Sequence, residues 1–487
     1  MRHCRGLPAS LTIGSSTVET SGFVLDRREF LQAATGTAFL LPAFPAWARR
    51  RSINDYSGLD AVTVADERRP RSTEEVSAAV GEWRDAISVG GGRFSMGGQI
   101  AYPESLHLDM RQLKRVVSLD PERQTVRVQA GISWRDLQEV LDPHDLSVSI
   151  MQSFSNFTVG GSVSVNCHGR YVGRGPIVNS VRALQLVTAD GSVLELEPSS
   201  EVFRGVFGGY GGLGVVTEVE LGLEPNSRLR RVVEDVELAS YPRRFLDDVA
   251  GDSRVVLHNA DLRPPDFDAP RMISWLSTNR PATVEERLIP RDRNYARNQA
   301  AIWAVSELPG GARLRQSVEE RLHGEEVVVW RNYEASLDTD SLEPPTRLFS
   351  TYLLQEYFIP VDNFLGFARS MAGILSEHRV NALNVSIRHS PADTRSLLSW
   401  APTDVFSFVL YYKQRTTGRA RRRAEAWTRE LIDAALEYGG RYYLPYRLHA
   451  TPAQFVRAYP EHEAFRRLKA GLDPRGKFRN MLWDRYL

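Results

Sequence analysis

One glycine-rich stretch decides the fold, Ser88-Val89-Gly90-Gly91-Gly92-Arg93-Phe94-Ser95-Met96-Gly97-Gly98, and it follows a predicted strand directly. Glycines allow backbone N–H groups to approach and encircle an anion such as a phosphate. A nicotinamide-binding loop would instead need the spacing G-x-G-x-x-G at the opening of a helix. That spacing is absent here, and residues 106–109 read as another strand, so a nicotinamide-binding domain is disfavoured.

Two further glycine-rich segments follow in order. The second segment is Thr158-Val159-Gly160-Gly161-Ser162-Val163-Ser164-Val165-Asn166-Cys167-His168-Gly169. The third is Gly208-Gly209-Tyr210-Gly211-Gly212-Leu213-Gly214-Val215-Val216-Thr217, which leads into an apolar strand. A single glycine loop is usually only a turn, but three loops that each flank a strand indicate close backbone approach to a large phosphate-bearing ligand.

The remaining pattern predicts an α+β protein with separate domains. From about residue 61 to 223, short β-branched runs are separated by Gly, Asp and Pro, as is typical of strands. Residues 73–83 and 133–141 are predicted helices within this region. After Pro225, predicted helices over 283–322 and 419–438 are mixed with strands, which favours two domains of α+β class.

Composition excludes several functional classes. The chain has 487 residues, 42% apolar and 25% charged, as expected of a soluble globular protein. Its 61 basic and 60 acidic residues give a net charge of +1, so there is no electrostatic footprint for nucleic acid. Two cysteines, Cys4 and Cys167, exclude a disulfide scaffold and a cysteine-based zinc site, and no metal site is predicted. Hydrolase and phosphate-loop motifs are also absent.

The N-terminus has the parts of an export signal. Arg27-Arg28 precede a modest apolar stretch that ends at Ala46-Trp47-Ala48, a small-x-small cleavage pattern. Pro42 and Pro45 interrupt the stretch, which is too short to span a membrane. Residues 1–48 are therefore predicted to be a twin-arginine-type signal, which implies a periplasmic or secreted protein; an amphipathic or disordered N-terminus is the alternative. No other segment reaches membrane-spanning length.

The three loops together resemble those of the vanillyl-alcohol oxidase/p-cresol methylhydroxylase family, and within it the decaprenylphosphoryl-ribose, alditol and aldonolactone oxidases. Further matches cover most of the chain after residue 48, including segments 354–360, 384–388, 440–443 and 472–478. The resemblance implies a PCMH-type FAD-binding domain at 49–225, a substrate or cap domain at 226–440, and a C-terminal segment, 441–487, that returns to the FAD site.

The resemblance also implies which residues hold FAD. Ser88 to Gly98 would hold the pyrophosphate, and Val215 or Val216 would meet the adenosine half. The ribityl chain and flavin ring would be lined by Ser153, Thr158, Val159, Gly160, Gly161, Val165, Asn166, Cys167 and His168, with Tyr443 returning from the C-terminus. Relatives often attach FAD through a histidine after the first glycines. Arg93 occupies that position here, so we expect non-covalent FAD, unless Cys167 or His168 forms a link.

Six residues are candidates for the chemistry. Arg388 matches a strand that contributes a cationic substrate contact in the family, although a surface arginine is the alternative. Tyr446 stands where the ribose and alditol oxidases have a lysine, and Ser386 stands where alditol oxidases have an acid. The other candidates are His168, Gln355, His449 and Lys413, which could compensate for the missing lysine; each could instead be structural.

The resemblance therefore implies an exported FAD enzyme that removes hydride from the hydroxyl carbon of a small molecule such as a sugar, polyol or lactone. Oxygen or another acceptor would reoxidise the flavin. Two alternatives stay open at this point. One is reduction of a C=C bond, as in the related sterol Δ24-reductases, and the other is a flavin-binding protein without catalytic activity.

Overall fold

The computed structural model describes residues 51–307, 326–342 and 347–487, so the predicted export signal lies outside the described residues. The strands are β1 Arg51–Ile53, β2 Val62–Val64, β3 Asp66–Arg68, β4 Ile87–Gly90, β5 Leu106–Asp109, β6 Val116–Asp120, β7 Thr125–Gln129, β8 Leu146–Val148, β9 Val181–Val187, β10 Val193–Leu196, β11 Val215–Pro225, β12 Arg228–Asp235, β13 Val255–Leu262, β14 Arg271–Ser277, β15 Val328–Trp330, β16 Ser350–Pro360, β17 Asn381–Ser390, β18 Val405–Arg415 and β19 Arg441–Tyr442. The α-helices are Thr73–Glu82, Trp134–Leu141, Val159–Ser164, Glu201–Val206, Tyr241–Arg244, Ala296–Glu307, Arg331–Ala335, Phe364–Glu377, Gly418–Glu437, Pro452–Ala458, His462–Leu472 and Met481–Tyr486.

A small parallel sheet, in the order β3-β5-β4, carries the first glycine loop. The helix Thr73–Glu82 connects β3 to β4 and buries Val76 and Val80. Its N-cap, Ser72, accepts a hydrogen bond from the backbone N–H of Glu75. Because β4 ends at Gly90, the first glycine loop begins at the carboxyl edge of a parallel sheet, where open α/β sheets bind ligands.

An antiparallel sheet carries the other two loops. Its strands lie in the order β10-β9-β11-β7-β6, and β8 also pairs with β11. The second loop contains the helix Val159–Ser164, whose N-cap Thr158 accepts from the N–H of Gly161. The third loop ends where β11 begins, at Val215. Both loops are thereby fixed to one sheet beside the first loop.

The second large sheet is antiparallel and lies later in the chain, in the order β15-β12-β14-β13-β17-β18-β16-β19. Strand alternation places Leu353 and Tyr357 of β16 in the core with the helix residues Phe364 and Phe367. Tyr352, Leu354 and Glu356 of β16 point to the other face, as the side-chain period of two requires. The α+β prediction is confirmed.

The C-terminal segment returns to the first sheet. The N–H of Ile87 donates to the carbonyl of Lys477 at 2.7 Å, and the N–H of Arg479 donates to the carbonyl of Ile87 at 2.9 Å. Phe478 is buried in the cluster of apolar side chains around β4 and β5. Residues 477–479 thus extend the parallel sheet beside β4.

The helix predicted over residues 283–322 begins later in the structure. Among the described residues of this segment, Ala296–Glu307 are helical, and residues 308–325 lie outside the described residues. Thr283 instead hydrogen-bonds to Val328 at the start of β15. Pro290 has no backbone N–H to continue a helix, and Asn294 accepts from the N–H of Ala296 where the helix begins.

Three buried histidines predict that the fold loses stability in mild acid. Burial lowers the pKa of His107 to about 4, and it lowers the pKa values of His258 and His449 to about 3. An unfolded chain protonates histidine near its ordinary pKa, so the unfolded state binds more protons below that pH. Each group then destabilises the fold by about 2 kcal/mol at about pH 5.

Urea denaturation at about pH 7.5 and about pH 5 measures this loss. His258, which lies between Tyr241 and Ser274, is the residue to vary. His258→Asn is expected to shrink the difference between the two pH values by about 2 kcal/mol. An unchanged difference in that variant would contradict the assignment.

Candidate active site

Two neighbouring cavities follow the glycine loops. They share a set of lining residues, namely Gly91, Ser95, Ile100, Thr158 and Gly161. The two cavities together form an elongated space of the kind that an extended dinucleotide requires.

The first cavity lies between the three loops. It is lined by Val89 from the first loop, Gly160 from the second, and Tyr210, Gly211 and Val216 from the third. Gly211 has a φ of 70°, a conformation that glycine adopts without strain. An added Cβ at Gly160 would lie 2.7 Å from the Cβ of Ala130, so the helix Val159–Ser164 requires glycine to approach the neighbouring backbone.

The second cavity lies between the loops and the exposed face of the eight-stranded sheet. β16 contributes Tyr352, Leu354 and Glu356, which are alternate residues on one face. β17 contributes Arg388. Val385 and Ile387 are buried in the core, so the alternation of β17 directs Arg388 into the cavity.

A cluster of four polar side chains lines this second cavity. Nε2 of His168 donates to Oε1 of Glu356 at 2.6 Å. The phenol of Tyr446 donates to Oε2 of the same carboxylate at 3.1 Å. His168 and Glu356 are only 5% and 2% exposed, and Arg388 interacts electrostatically with Glu356. We call His168, Glu356, Arg388 and Tyr446 the polar cluster.

The charges of the polar cluster depend on one another. Burial raises the pKa of Glu356, but His168, Arg388 and the Tyr446 hydrogen bond outweigh burial, so the pKa lies below its ordinary value. Burial lowers the pKa of Arg388, which Glu356 opposes. Burial and Glu356 both raise the pKa of Tyr446, so its phenol stays protonated. The cluster therefore holds a carboxylate and a guanidinium beside a neutral phenol.

An aromatic shell holds His168 in place. Its ring lies 4.9 Å from that of Trp400, 5.5 Å from Phe358 and 6.0 Å from Tyr443, centroid to centroid. Tyr443 donates its phenol hydrogen to the carbonyl of Val165 at 2.8 Å. These contacts restrict the ring orientation, which allows His168 to present a defined nitrogen to the cavity.

The predicted FAD residues divide into two groups. Those that line one or both cavities are Val89, Gly91, Gly92, Arg93, Phe94, Ser95, Met96, Ser153, Thr158, Gly160, Gly161, Val165, Cys167, His168, Val216 and Tyr443. Those that do not line either cavity are Ser88, Gly90, Gly97, Gly98, Val159, Asn166 and Val215. The second group supports the loops; for example, Asn166 donates to Asp393 and Val215 is buried in the core.

Arg93 and Cys167 are the positions that concern flavin attachment. The guanidinium of Arg93 donates to Glu67 at 3.0 Å and to Asp109 at 3.3 Å. Cys167 is buried, and burial raises the pKa of its thiol, so the nucleophilic thiolate is disfavoured. Neither side chain is prepared to form a bond to the cofactor.

Three predicted catalytic residues lie outside the second cavity. Gln355 is on the opposite face of β16 from Glu356. Lys413 donates to Ser306 at 3.2 Å and lines a separate cavity of about 880 Å³, so it does not replace a lysine at Tyr446. His449 is buried next to Arg447 and Arg429.

Sequence reasoning missed Glu356. It follows Gln355, and the residue match alone could not distinguish the two faces of the strand. The period-two alternation would have separated them, because Leu354 and Glu356 necessarily share a face. The contact between Glu356 and the second glycine loop, in contrast, depends on the fold and does not follow from the alternation of the strand.

The residues present fit FAD. The shared glycines, Gly91 and Gly161, bring backbone to the junction of the two cavities, and a Cβ at Gly91 would overlap Oγ1 of Thr158. The hydroxyl of Ser153 lines the second cavity and has no hydrogen-bond partner within the described residues. No group of three His, Cys, Asp or Glu side chains suited to a metal ion occurs in residues 51–307, 326–342 and 347–487.

Comparisons with known proteins agree with this geometry. Residues 67–197 match a family model described as an FAD binding domain. The chain is 30% identical to the alditol oxidase of Streptomyces sp. (strain IKD472 / FERM P-14339) over 256 residues, 49% of this chain and 59% of that protein. It is 25% identical to mouse L-gulonolactone oxidase over 452 residues, 90% of this chain and 96% of that protein.

A third relative is the decaprenylphosphoryl-β-D-ribose oxidase of Mycolicibacterium smegmatis, with 33% identity over 146 residues, 29% of this chain and 32% of that protein. The matched family model and the cavities lined by the glycine loops thus agree on an FAD-binding domain. Residues 67–197 therefore match an FAD binding domain of the vanillyl-alcohol oxidase/p-cresol methylhydroxylase type, and the chain is similar to alditol, L-gulonolactone and decaprenylphosphoryl-ribose oxidases.

Proposed function

We propose that the protein oxidises the hydroxyl carbon of a small molecule, with FAD as the hydride acceptor. One observation carries this proposal: the cavity lined by residues of the first two glycine loops is also lined by the polar cluster. Bound FAD would supply the two-electron oxidant. Arg388 would stabilise the negative charge that develops on the substrate oxygen, and the buried site would exclude water.

The substrate class is a sugar, polyol, lactone or related alcohol. The relatives named as alditol and L-gulonolactone oxidases support this class. The wall of the second cavity is largely aromatic and aliphatic, including Phe94, Phe154, Phe157, Leu354 and Tyr411. A substrate panel therefore needs alcohols that carry an apolar substituent as well as free polyols and aldonolactones.

Anaerobic mixing with the panel tests the function. The holoenzyme is expected to lose its visible flavin absorbance with at least one alcohol and without a nicotinamide donor. Readmitted oxygen or an artificial acceptor would then restore the absorbance. If no alcohol bleaches the flavin while dithionite does, the oxidation proposal is wrong.

Reduction of a C=C bond is the second candidate. The observation in its favour is Tyr446, whose protonated phenol replaces a lysine and could donate a proton to a carbon centre. A reductase of this kind needs an external electron donor. Flavin reduction by a nicotinamide but by no alcohol would favour the reductase, and reduction by dithionite alone would favour a flavin-binding protein without catalysis.

We also propose that the FAD is held without a covalent bond. Arg93 cannot form the link that a histidine makes in relatives, and its guanidinium is engaged by Glu67 and Asp109. Acid precipitation is expected to leave the flavin absorbance in the supernatant. Flavin in the pellet would contradict this expectation, and a peptide map would then identify Cys167 or His168.

Export by the twin-arginine route completes the proposal. Arg27-Arg28 and the cleavage pattern at residues 46–48 support it. None of the helices in the described part of the chain has the length and apolar character of a membrane span. Replacing Arg27 and Arg28 with lysines is expected to keep a precursor inside the cell, which fractionation and immunoblotting would detect.

A further inference from the structure

His168 and Glu356 lie on different parts of the fold and meet inside the second cavity. His168 belongs to the second glycine loop, and Glu356 belongs to β16, 188 residues later. Their hydrogen bond of 2.6 Å joins the FAD-binding domain to the eight-stranded sheet. A buried carboxylate that accepts from an imidazole fixes both the tautomer and the orientation of the ring.

The arrangement leaves one imidazole nitrogen for the cavity. In the neutral imidazole, Nε2 carries the hydrogen that it donates to Glu356, and Nδ1 then carries the lone pair. His168 lines the cavity, and its side-chain hydrogen bond among the described residues is the Nε2–Glu356 contact. Nδ1 is therefore positioned to accept a proton from a hydroxyl group in the cavity.

Two opposite charges and two neutral phenols surround the His168 ring. Glu356 from β16 and Arg388 from β17 balance one another, and the phenols of Tyr443 and Tyr446 stay protonated. Arg170 and Asp261 also interact electrostatically with Arg388, and their charges are opposite. Burial raises the pKa of the thiol of Cys167, the neighbour of His168 in sequence, so its anion is disfavoured. The carboxylate next to Nε2 would stabilise an imidazolium, as in catalytic carboxylate–histidine pairs.

We propose that His168 is the proton acceptor of the alcohol oxidation and that Glu356 is the residue that positions it, an inference that rests on the proposed function. The substrate hydroxyl gives its proton to Nδ1 of His168, and the carbinol C–H bond breaks with its electron pair transferred as hydride to the flavin. The alcohol becomes a carbonyl compound, the flavin gains two electrons, and His168 later returns the proton to solvent.

The register of strands β16 to β18 explains why the carboxylate of Glu356 lies beside His168. Ser386 of β17 pairs with Val409 of β18, and Val409 pairs with Glu356 of β16. Glu356 therefore lies in the same row across the sheet as Ser386, two strands away. The sheet has a carboxylate on β16 and a hydroxyl on β17, which directs the carboxylate toward the glycine loop that carries His168.

Stopped-flow flavin reduction across pH tests the proposal, with the best alcohol from the panel. In the wild type, the reduction rate is expected to fall as pH is lowered, because protonated His168 accepts no proton. His168→Ala is expected to slow reduction by about 10²- to 10³-fold and to remove this dependence. Added imidazole is expected to restore part of the rate, which a structural role would not allow.

Glu356→Gln tests the positioning role separately. The variant keeps the side-chain size but removes the charge, so we expect a slower rate and an altered pH dependence with FAD still bound. Nitrogen NMR of ¹⁵N-histidine protein gives a second readout, because the His168 signal, identified by its loss in His168→Ala, reports which nitrogen carries hydrogen. In Glu356→Gln the Nε2–H tautomer should no longer dominate.

His449→Gln is the matched control, since His449 is a buried histidine outside the cavity. It should leave the rate and its pH dependence unchanged. A His168→Ala variant that keeps both the wild-type rate and the wild-type pH dependence would overturn the proposal while the oxidase function stands. Failure of every alcohol to reduce the wild-type flavin would instead overturn the proposed function, and this assignment with it.

Discussion

Gly161→Leu is expected to yield a folded protein that does not retain FAD. Gly161 lines both cavities at their junction, and the one atom near an added Cβ is Oγ1 of Thr158, at 2.9 Å. The remainder of a leucine side chain would occupy the space of the cofactor. We expect FAD binding to weaken at least about 100-fold, which corresponds to about 2.7 kcal/mol. Fluorescence titration of the apoprotein with FAD measures the change.

A glycine in another helix provides the control for Gly161→Leu. Gly81 lies in the helix Thr73–Glu82, and an added Cβ there would have no atom within 4 Å. Gly81→Leu is expected to bind FAD normally and to gain about 0.5 to 1 kcal/mol of stability from its helix propensity. Equal FAD affinity in Gly161→Leu and the wild type would show that the cofactor does not pass between the two cavities.

Arg388→Met is expected to slow flavin reduction by about 10³-fold at saturating alcohol. The substitution removes the positive charge that faces the cavity but leaves a side chain of similar length. That charge also helps to hold the pKa of the buried Glu356 carboxyl below its ordinary value, so we expect the fold to lose stability. Rapid-reaction measurement of the reduction rate, with the FAD content determined in parallel, separates the two effects.

The double variant Arg388→Met/Glu356→Gln controls for the Glu356 carboxylate that Arg388→Met leaves without a nearby arginine. With both charges absent, the fold should recover stability relative to Arg388→Met, as the denaturation midpoint would show. Its reduction rate should nevertheless stay well below that of Glu356→Gln alone. Recovery of the rate along with the stability would mean that Arg388 acts on the fold and not on the reaction.

The glycine loops were predictable because their function is encoded in consecutive residues. Backbone that must approach a phosphate-bearing ligand needs glycine in the sequence itself, and helix caps such as Ser133 are equally local. The polar cluster was less predictable. His168, Arg388 and Tyr446 were found as single residues, but their meeting depends on pairing between strands far apart in the chain.

Within strands, the main source of error in the sequence predictions was the face of the sheet to which a side chain points. Gln355 and Glu356 are neighbours in sequence, and a one-residue difference decides which lies in the cavity. Lys413 shows a second limit. Its place in the alternation puts it on the same face of β18 as Tyr411, which lines the cavity, but it lies two residues further along the strand, beside Tyr352. Its amine donates to Ser306 and does not line the cavity, although its cross-strand neighbour Tyr352 does, and the contact with Ser306 is a property of the fold.

The return of the C-terminal segment has a consequence for biosynthesis. Met96 of the first glycine loop donates to the carbonyl of Pro445, and Gln99 donates to the carbonyls of Leu444 and Tyr446. Beside the same loop, β4 pairs with residues 477–479. A nascent chain therefore cannot complete its cofactor cavity until residue 479 has left the ribosome. Cofactor loading must wait until the segment up to residue 479 has been made and has packed beside the first glycine loop.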